Sequence, residues 1–378
     1  MAKRFIFRSL AVLICIMFLP AQAFAAKEVP STAKAYIVIE SSTGKVIDEN
    51  NSEKPLPCSG MVRLMSLLVI ANAVADGDVR AGDSVSVSSA AAKKGGTRVF
   101  LDAGSAYPLE ELYKAAVICS ANDAVTALAE HVAGSEENFV SRMNDLAQKL
   151  GVSAKFSDCT GLTEQEMSAA DISKICARLC EASMFLKYSS IWLDEFTHSS
   201  GRTTQMSASN ILIKEDFDGM ATASSPTAGY CLAASKKSGG SHFICVVLGD
   251  STGGRFTLAR EKVNSAASDY TSVQIARAGI KVTEAQVDGA KDPVPLMANE
   301  DLSLLLTKAQ AKELKKSIEL NEGLCAPLTA GDEVGKLVIT LPDGTTNELT
   351  LTVGQDVSSS SFLGALTAIL RHWIFSDN

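Results

Sequence analysis

The stretch LPCSGMVRLMS, residues 56–66, places a hydroxyl and a cation where nucleophilic chemistry could take place. Ser59 precedes apolar residues at helical spacing that continue to Gly77, so we predict a helix with Ser59 as its N-cap. Gly60 follows the serine, and Arg63 lies one turn further along. A positioned nucleophile with a nearby base is the arrangement that covalent catalysis requires. The stretch is therefore either an active site or the remnant of one.

The composition is that of a globular protein with more than one domain. The chain has 378 residues, which is longer than one hydrophobic core usually supports. Of these residues 46% are hydrophobic and 21% are charged, an ordinary globular composition. The formal net charge is −8 and no lysine and arginine cluster alternates with aromatic residues, so we expect no nucleic-acid partner. The four histidines are scattered, none at ligand spacing from a cysteine pair, so we expect no metal and no cofactor.

The first 25 residues have the pattern of a secretory signal peptide. Basic residues precede the apolar run SLAVLICIMFLP, and Ala23 and Ala25 form the A-x-A arrangement read by signal peptidase. We therefore predict export, to the periplasm or the extracytoplasmic face of the cytoplasmic membrane. Of the nine cysteines, Cys15 lies in this segment and eight remain. Most of the eight lie in apolar runs, which favours buried thiols over a disulfide framework.

The mature chain begins with strands, continues with helices and returns to strands. Residues 35–50 and 228–250 read as β-hairpins, with turns at Thr43–Gly44 and at residues 238–241. Between them, three segments carry apolar residues at helical spacing with acidic first turns: residues 108–134, 135–152 and 169–184. This order predicts an α+β fold in which the two hairpins join one antiparallel sheet.

The sequence pattern changes in the last hundred residues or so. Residues 270–357 contain short strand patterns separated by glycine, aspartate and proline, which predicts a small all-β domain. Residues 358–378 follow a serine joint and place Phe362, Leu366 and Trp373 on one helical face, which favours an amphipathic helix lying in a membrane surface. A terminal helix docked on the protein is the alternative.

The order of motifs resembles that of the D-alanyl-D-alanine carboxypeptidases of the low-molecular-mass penicillin-binding protein type, the S11 serine peptidases that trim peptidoglycan stem peptides. NSEKPLPCSGMVRLMS is similar to the lead into the family's S-x-x-K helix, ICSANDAVTALAEHVAG to its S-x-N stretch, and FDGMATASSPTAGYCLAAS to the strand that normally carries K-T-G. The resemblance implies a penicillin-binding/β-lactamase-like transpeptidase domain over residues 26–269, the small β domain and the membrane anchor. Peptidoglycan stem peptides are the implied ligand.

Two of the three motifs have lost the groups on which the family's chemistry depends. Read without gaps, the family's nucleophile position falls on Gly60 and its base position on Arg63. Glycine has no oxygen to acylate. Arginine does not give up its proton, because the guanidinium pKa lies above about 12. We therefore interpret both positions as vestigial.

The remaining motifs are partly retained. Ser120 and Asn122 preserve S-x-N, and the resemblance implies that they are the surviving catalytic positions. The K-T-G strand has become Ala221, Thr222 and Ala223. The implied substrate-binding cation is thus missing from this strand, and a methyl group stands where the family has bare backbone.

Two functions from different classes remain open. The first is a non-catalytic envelope protein that binds wall peptides or scaffolds partners. The second is an active D-Ala-D-Ala carboxypeptidase that uses Ser120 or Ser59, with a Cys58 thiolate a more distant option. In either case Ser120, Asn122 and Thr222 are expected to converge near Gly60. Arg63 is expected to hydrogen-bond Ser120 or Asn122 in the space of the family's lysine.

Overall fold

The structure is a computed structural model that describes residues 31–359. The predicted signal peptide over residues 1–25 and nearly all of the predicted anchor over residues 358–378 lie outside this range. Within it, no helix combines the length and the apolar character needed to cross a bilayer.

Strands and helices are numbered separately in chain order. The strands are β1 (Ala35–Glu40), β2 (Val46–Asn50), β3 (Leu56–Pro57), β4 (Ser84–Ser86), β5 (Ala106–Pro108), β6 (Glu166–Met167), β7 (Leu193–Thr197), β8 (Thr203–Ser207), β9 (Gly219–Ser225), β10 (Gly229–Ser238), β11 (Ser241–Asp250), β12 (Tyr270–Ala276), β13 (Lys281–Ala285), β14 (Val294–Ala298), β15 (Leu302–Thr307), β16 (Lys315–Leu320), β17 (Glu333–Thr340) and β18 (Thr346–Val353). The helices are α1 (Arg63–Ala75), α2 (Ser89–Ala92), α3 (Leu109–Cys119), α4 (Asn122–Ala133), α5 (Glu136–Lys149), α6 (Ala169–Leu179), α7 (Ser183–Ser189), α8 (Gly254–Asp269) and α9 (Lys308–Glu313).

The two predicted hairpins do join one antiparallel sheet. Its order is β2-β1-β11-β10-β9, so the first strand of the chain pairs with a strand more than 200 residues away, with Ala35 opposite Leu248. Both faces of the sheet are covered. Ile37 packs into the core shared with α1, α3, α4 and α6, whereas the next residue, Val38, packs into the core beneath α8. Burial on both faces explains why the neighbouring strands β1 and β11 are nearly continuous apolar runs.

The segment 108–134, predicted as one helical stretch, is two helices. The helix α3 ends at Cys119 and α4 begins at Asn122, because Ser120 adopts a left-handed backbone conformation with φ 59°. The apolar periodicity does not reveal the break, because both helices bury residues in the same core: Leu112 and Leu128 are fully buried there. The break places the S-x-N residues in a sharp corner at the start of α4.

The central helix α1 is buried from Leu64 to Ala71, and this burial fixes its first residue, Arg63, in place. Its start differs from the prediction. A 3₁₀ turn, Ser59–Val62, precedes it. Cys58 is the N-cap residue of this turn and Val62 that of α1, and Ser59 caps neither. Ser59 has a left-handed φ of 48°, and its hydroxyl donates instead to the Ser224 carbonyl of β9 at 3.2 Å.

The second part of the chain begins where α8 ends at Asp269 and β12 starts at Tyr270. Its main sheet has the order β13-β14-β18-β17-β16, and β12 pairs separately with β15. Leu296, Ile339 and Leu351 are fully buried in a core of their own. The domain is built from strands, as predicted, with one short helix, α9, inserted.

Candidate functional site

A polar cavity of about 310 Å³ opens where the 3₁₀ turn, the α3–α4 corner and the edge strand β9 meet. It brings together six of the seven positions of the three motifs, with Ser59 beside them. Ala221 is the exception. The cavity is lined by Ser59, Gly60, Arg63, Gly96, Thr97, Cys119, Ser120, Asn122, Gly161, Leu162, Ser209, Thr222, Ala223, Ser224 and Arg255.

Strand alternation separates the residues of β9. Thr222 and Ser224 lie two residues apart and share one strand face, whereas Ala221 and Ala223 share the other. Ala221 packs against the core between the sheet and the helices, and Ala223 belongs to that core with 8% of its surface exposed. Ala223 therefore borders the cavity while exposing little of its methyl group. The expected crowding of a ligand by this methyl is correspondingly small.

Of the two retained S-x-N residues, Asn122 is the one fixed in place by hydrogen bonds. Asn122 is 2% exposed, its amide nitrogen donates to the Gly95 carbonyl at 2.9 Å, and its backbone N–H donates to the Thr97 carbonyl at 2.8 Å. Ser120 is half-buried and carries the left-handed backbone of the corner. Such a conformation costs about 1–3 kcal/mol in a non-glycine residue and is found disproportionately at functional sites.

Arg63 fills the volume beside Gly60. Its Nη1 donates to Asn122 Oδ1 at 3.3 Å and to the Thr160 carbonyl at 3.1 Å. A Cβ atom on Gly60 would lie 2.2 Å from Nη1, 2.3 Å from Nη2 and 2.5 Å from Cζ. No side chain can therefore occupy position 60 while the guanidinium stays where it is. Of the two partners expected for Arg63, Asn122 is the one that it binds.

Electrostatics keep Arg63 a cation and the nearby thiols neutral. Burial lowers the pKa of Arg63 to about 10, against the opposing effect of Asp158, so the group is charged at neutral pH. Burial raises the pKa of Cys58 and of Cys119 to about 12. Both are therefore thiols rather than thiolates at neutral pH. Neither is prepared to act as a nucleophile.

A second cation reaches the cavity from an element that sequence reasoning missed. Arg255, on α8, is 8% exposed, and its Nη1 donates to the carbonyls of Cys231 at 3.0 Å and Ala223 at 3.3 Å. Its guanidinium lies 4.6 Å from the ring centroid of Phe256 and 5.1 Å from that of Tyr230. Position 221 of β9 carries no cation, and Arg255 brings a positive charge to this end of the cavity from α8 instead. No local motif marks Arg255, because only the sheet topology brings α8 beside β9.

Two buried carboxylates, also missed, fix the loops that form the cavity walls. Asp123 is fully buried and accepts from the N–H groups of Val99 at 3.2 Å and Leu101 at 3.0 Å. These bonds hold the loop on either side of Phe100, which has a left-handed φ of 62° and is 54% exposed. The same loop places Thr97 against the cavity.

Asp158 fixes the opposite wall. It accepts from the N–H groups of Thr160 at 2.6 Å, Gly161 at 2.5 Å and Thr163 at 2.7 Å. Burial opposes ionisation of Asp158, but these bonds outweigh it and lower its pKa. Gly161 has a φ of 76°, and a Cβ there would lie 2.3 Å from the Ser59 carbonyl oxygen, so the wall requires glycine. The loop presents the Thr160 carbonyl to Arg63.

The described residues do not form a metal site. Across residues 31–359 no group of three or more histidine, cysteine, aspartate or glutamate side chains is arranged to hold a metal ion. All eight cysteines of this range are free thiols, five of them buried.

The fold and the cavity define the class of protein. An α+β domain with helices on both faces of one sheet, and with a helix start, an S-x-N corner and an edge strand around one cavity, has the penicillin-binding/β-lactamase-like architecture, and an all-β domain follows it. Residues 22–252 match the S11 peptidase family model described as D-alanyl-D-alanine carboxypeptidase, and residues 270–359 match the model of the penicillin-binding protein 5 C-terminal domain. The chain belongs to this D-alanyl-D-alanine carboxypeptidase family.

Similar proteins agree over most of the length. The D-alanyl-D-alanine carboxypeptidase DacF of Bacillus subtilis is 31% identical over 354 residues, covering 92% of this chain and 91% of the relative. DacC of Escherichia coli is 32% identical over 378 aligned residues, covering 94% and 93%. The crystal structure of penicillin binding protein 5 from Haemophilus influenzae superposes with a TM-score of 0.75 at 27% identity, covering 88% of this chain and 99% of that one.

Proposed function

We propose that this chain is a non-catalytic member of the family, one that binds peptidoglycan stem peptides in the cavity without cleaving them. The observation that carries the proposal is the pairing of Gly60 with Arg63. Position 60 offers no nucleophilic atom, and the guanidinium occupies the space in which one would stand. Arg63 is also charged at neutral pH and is no base.

The size of the expected loss supports this proposal. Removing the nucleophile or the base of a serine protease lowers kcat about a millionfold and leaves about 10³–10⁴ over water from binding and the oxyanion hole. Both groups are replaced here. A cavity that keeps Asn122, Thr222 and two cations while lacking both groups is suited to recognition rather than turnover.

An active carboxypeptidase that uses Ser120 or Ser59 is the alternative. Both serines line the cavity and have a left-handed φ, so the contact of the Ser59 hydroxyl is what distinguishes them. The Ser59 hydroxyl already donates to the Ser224 carbonyl. Among the described residues that line the cavity there is no lysine, histidine or carboxylate to take a proton from either serine. The alternative therefore lacks a base.

The proposed location is the extracytoplasmic face of the cytoplasmic membrane. The signal-peptide pattern over residues 1–25 and the amphipathic pattern over residues 358–378 support it. Membrane fractions from cells that express the full chain should contain it. A chain that ends at residue 359 should appear in the soluble extracytoplasmic fraction. Recovery of both chains in the same fraction would count against the anchor.

Covalent labelling tests the loss of catalysis. The mature protein is incubated with fluorescent penicillin and analysed by intact mass, and D-alanine release from diacetyl-Lys-D-Ala-D-Ala is measured in parallel. We expect no adduct and no release above background. An adduct or release that is lost in Ser120→Ala or Ser59→Ala would overturn the proposal and identify the working serine. An active relative such as DacF is the positive control for both assays.

A further inference from the structure

The cavity holds two guanidinium groups and no carboxylate. Arg63 enters from the start of α1 and Arg255 from α8, and no aspartate or glutamate is among the described lining residues. Neither arginine forms an ion pair with another side chain of residues 31–359. The charge of Asp158 stabilises that of Arg63 from a distance, but the two form no ion pair, and the Asp158 oxygens accept from backbone N–H groups and from the Thr160 and Gln165 side chains. A cation taken from water with no carboxylate in contact with it is unfavourable, so this arrangement favours an anion.

The unused donors of the two arginines differ. Arg63 makes both of its hydrogen bonds through Nη1, so Nε and Nη2, the edge of the guanidinium that receives a carboxylate side-on, make none to the described protein. Arg63 lines the cavity and retains some exposed surface, and its Nε and Nη2 are not among the fully buried atoms that lack a partner, so this edge is accessible. Arg255 also uses Nη1, but its Nε is sealed from the cavity without a partner. Its charge is also stabilised by two aromatic rings. Arg63 is thus the better anion receptor.

The position of Arg63 indicates which anion the cavity would bind. In an active member of the family the nucleophile attacks the carbonyl that joins the last two D-alanines of the stem peptide. Here the guanidinium stands in the nucleophile's volume beside Gly60, so it faces the place of that carbonyl. A peptide from which the last D-alanine has been removed carries a free carboxylate at the same place.

We propose that the cavity recognises the trimmed stem peptide, which ends in a single D-alanine, through a bidentate contact between its terminal carboxylate and the Nε–Nη2 edge of Arg63. This inference rests on the proposed non-catalytic function and names its ligand. An untrimmed peptide offers Arg63 only a neutral amide oxygen. A carboxylate accepts two charge-assisted hydrogen bonds, which are roughly twice as strong as neutral ones. We therefore expect at least about a tenfold preference for the trimmed peptide.

Titration calorimetry on the mature chain tests the preference with defined probes. The probes are diacetyl-Lys-D-Ala, diacetyl-Lys-D-Ala-D-Ala and the C-terminal amide of each. The trimmed peptide is expected to bind at least tenfold more tightly than the untrimmed one, and amidation is expected to abolish its advantage. Arg63→Gln should lower its affinity by tenfold or more. Arg178→Gln, which removes an exposed arginine paired with Glu181, is the charge-matched control and should leave the affinity unchanged.

Folding of the variants is checked by thermal unfolding, and Arg63→Lys separates charge from geometry. Lysine keeps the positive charge but cannot make the bidentate contact. The affinity of Arg63→Lys for the trimmed peptide should therefore lie between those of the wild type and Arg63→Gln. Tighter binding of the untrimmed peptide that depends on Arg255 rather than Arg63 would overturn the inference and leave the proposed function standing. Failure of the folded wild type to bind either peptide would overturn both. Penicillin acylation would overturn the proposed function on independent grounds.

Discussion

Adding a single methyl group at position 60 is the sharpest perturbation of this site. In Gly60→Ala the new Cβ would lie 2.2 Å from Arg63 Nη1 and 2.5 Å from Cζ, whereas unstrained contacts between heavy atoms are about 3.5 Å. The backbone itself tolerates alanine, because Gly60 is not among the glycines with positive φ. The guanidinium must therefore move by about 1 Å.

The movement has a cost that can be bounded. It breaks or stretches the bonds from Nη1 to Asn122 Oδ1 and to the Thr160 carbonyl, and hydrogen bonds from charged groups contribute about 1.5–3 kcal/mol each. Hydration of the displaced head group in the open cavity recovers part of this loss, and replacing glycine stabilises the turn by about 0.5–1 kcal/mol. We expect a net destabilisation of about 1–3 kcal/mol, because the broken bonds outweigh both gains.

Thermal unfolding of the wild type, Gly60→Ala, Arg63→Lys, their double variant and the control Gly82→Ala measures this effect. For a domain of this size the destabilisation corresponds to a fall in Tm of about 2–12 °C in Gly60→Ala. Gly82→Ala is the matched control, because Gly82 has open space around its Cβ position, and its Tm should not fall. Gly60→Ala combined with Arg63→Lys should lose less stability than the sum of the single variants, because a lysine head group can leave the contested volume.

Additivity of the two changes would refute the reasoning. So would a Tm for Gly60→Ala that matches the wild type while Gly82→Ala behaves as expected. Either result would mean that Arg63 does not occupy the space beside Gly60. The proposal of a blocked nucleophile position would then lose its main support.

Three further results are expected. Single reversions toward the family motifs should leave penicillin labelling at background, and labelling should return only in the quadruple variant Gly60→Ser, Arg63→Lys, Ala221→Lys and Ala223→Gly, since catalytic groups act as a unit. Asp123→Asn should speed hydrogen exchange of the Val99 and Leu101 N–H groups, measured by mass spectrometry, with no change at α9. The lowered pKa of Asp158 contributes stability above its unfolded-state pKa of about 4, which is lost as pH falls through the lower folded-state pKa. The denaturation midpoint of Asp158→Asn, followed between pH 7 and pH 3, should therefore depend less on pH than that of the wild type.

The sheet could be predicted from the sequence because its signals are local. Alternation and glycine-containing turns mark the hairpins 35–50 and 228–250, and these become neighbours in one sheet. The change at residue 270 is equally local. The meeting of the retained S-x-N residues with Gly60 was expected from the family resemblance rather than from any pattern in the residues themselves.

The parts that could not be predicted depend on contacts between distant segments. Ser59 has the sequence pattern of an N-cap, but the Ser224 carbonyl, 165 residues away, takes its hydroxyl. The break at Ser120 is hidden because the apolar periodicity continues through it. Arg255 enters the cavity only because α8 covers one face of the sheet. In each case tertiary contacts decide a feature that local propensity leaves open.

The contact between Gly60 and Arg63 also constrains the history of the site. A serine at position 60 and an arginine at position 63 cannot hold their present places together, because the Cβ and the guanidinium would overlap. A lineage that began with the family's serine and lysine would therefore have reached the present pair most readily by losing the serine first, with arginine entering the vacated space afterwards. The same order makes the change hard to reverse. Once arginine is in place, a mutation that restores serine must also displace the guanidinium from its bonds to Asn122 and the Thr160 carbonyl.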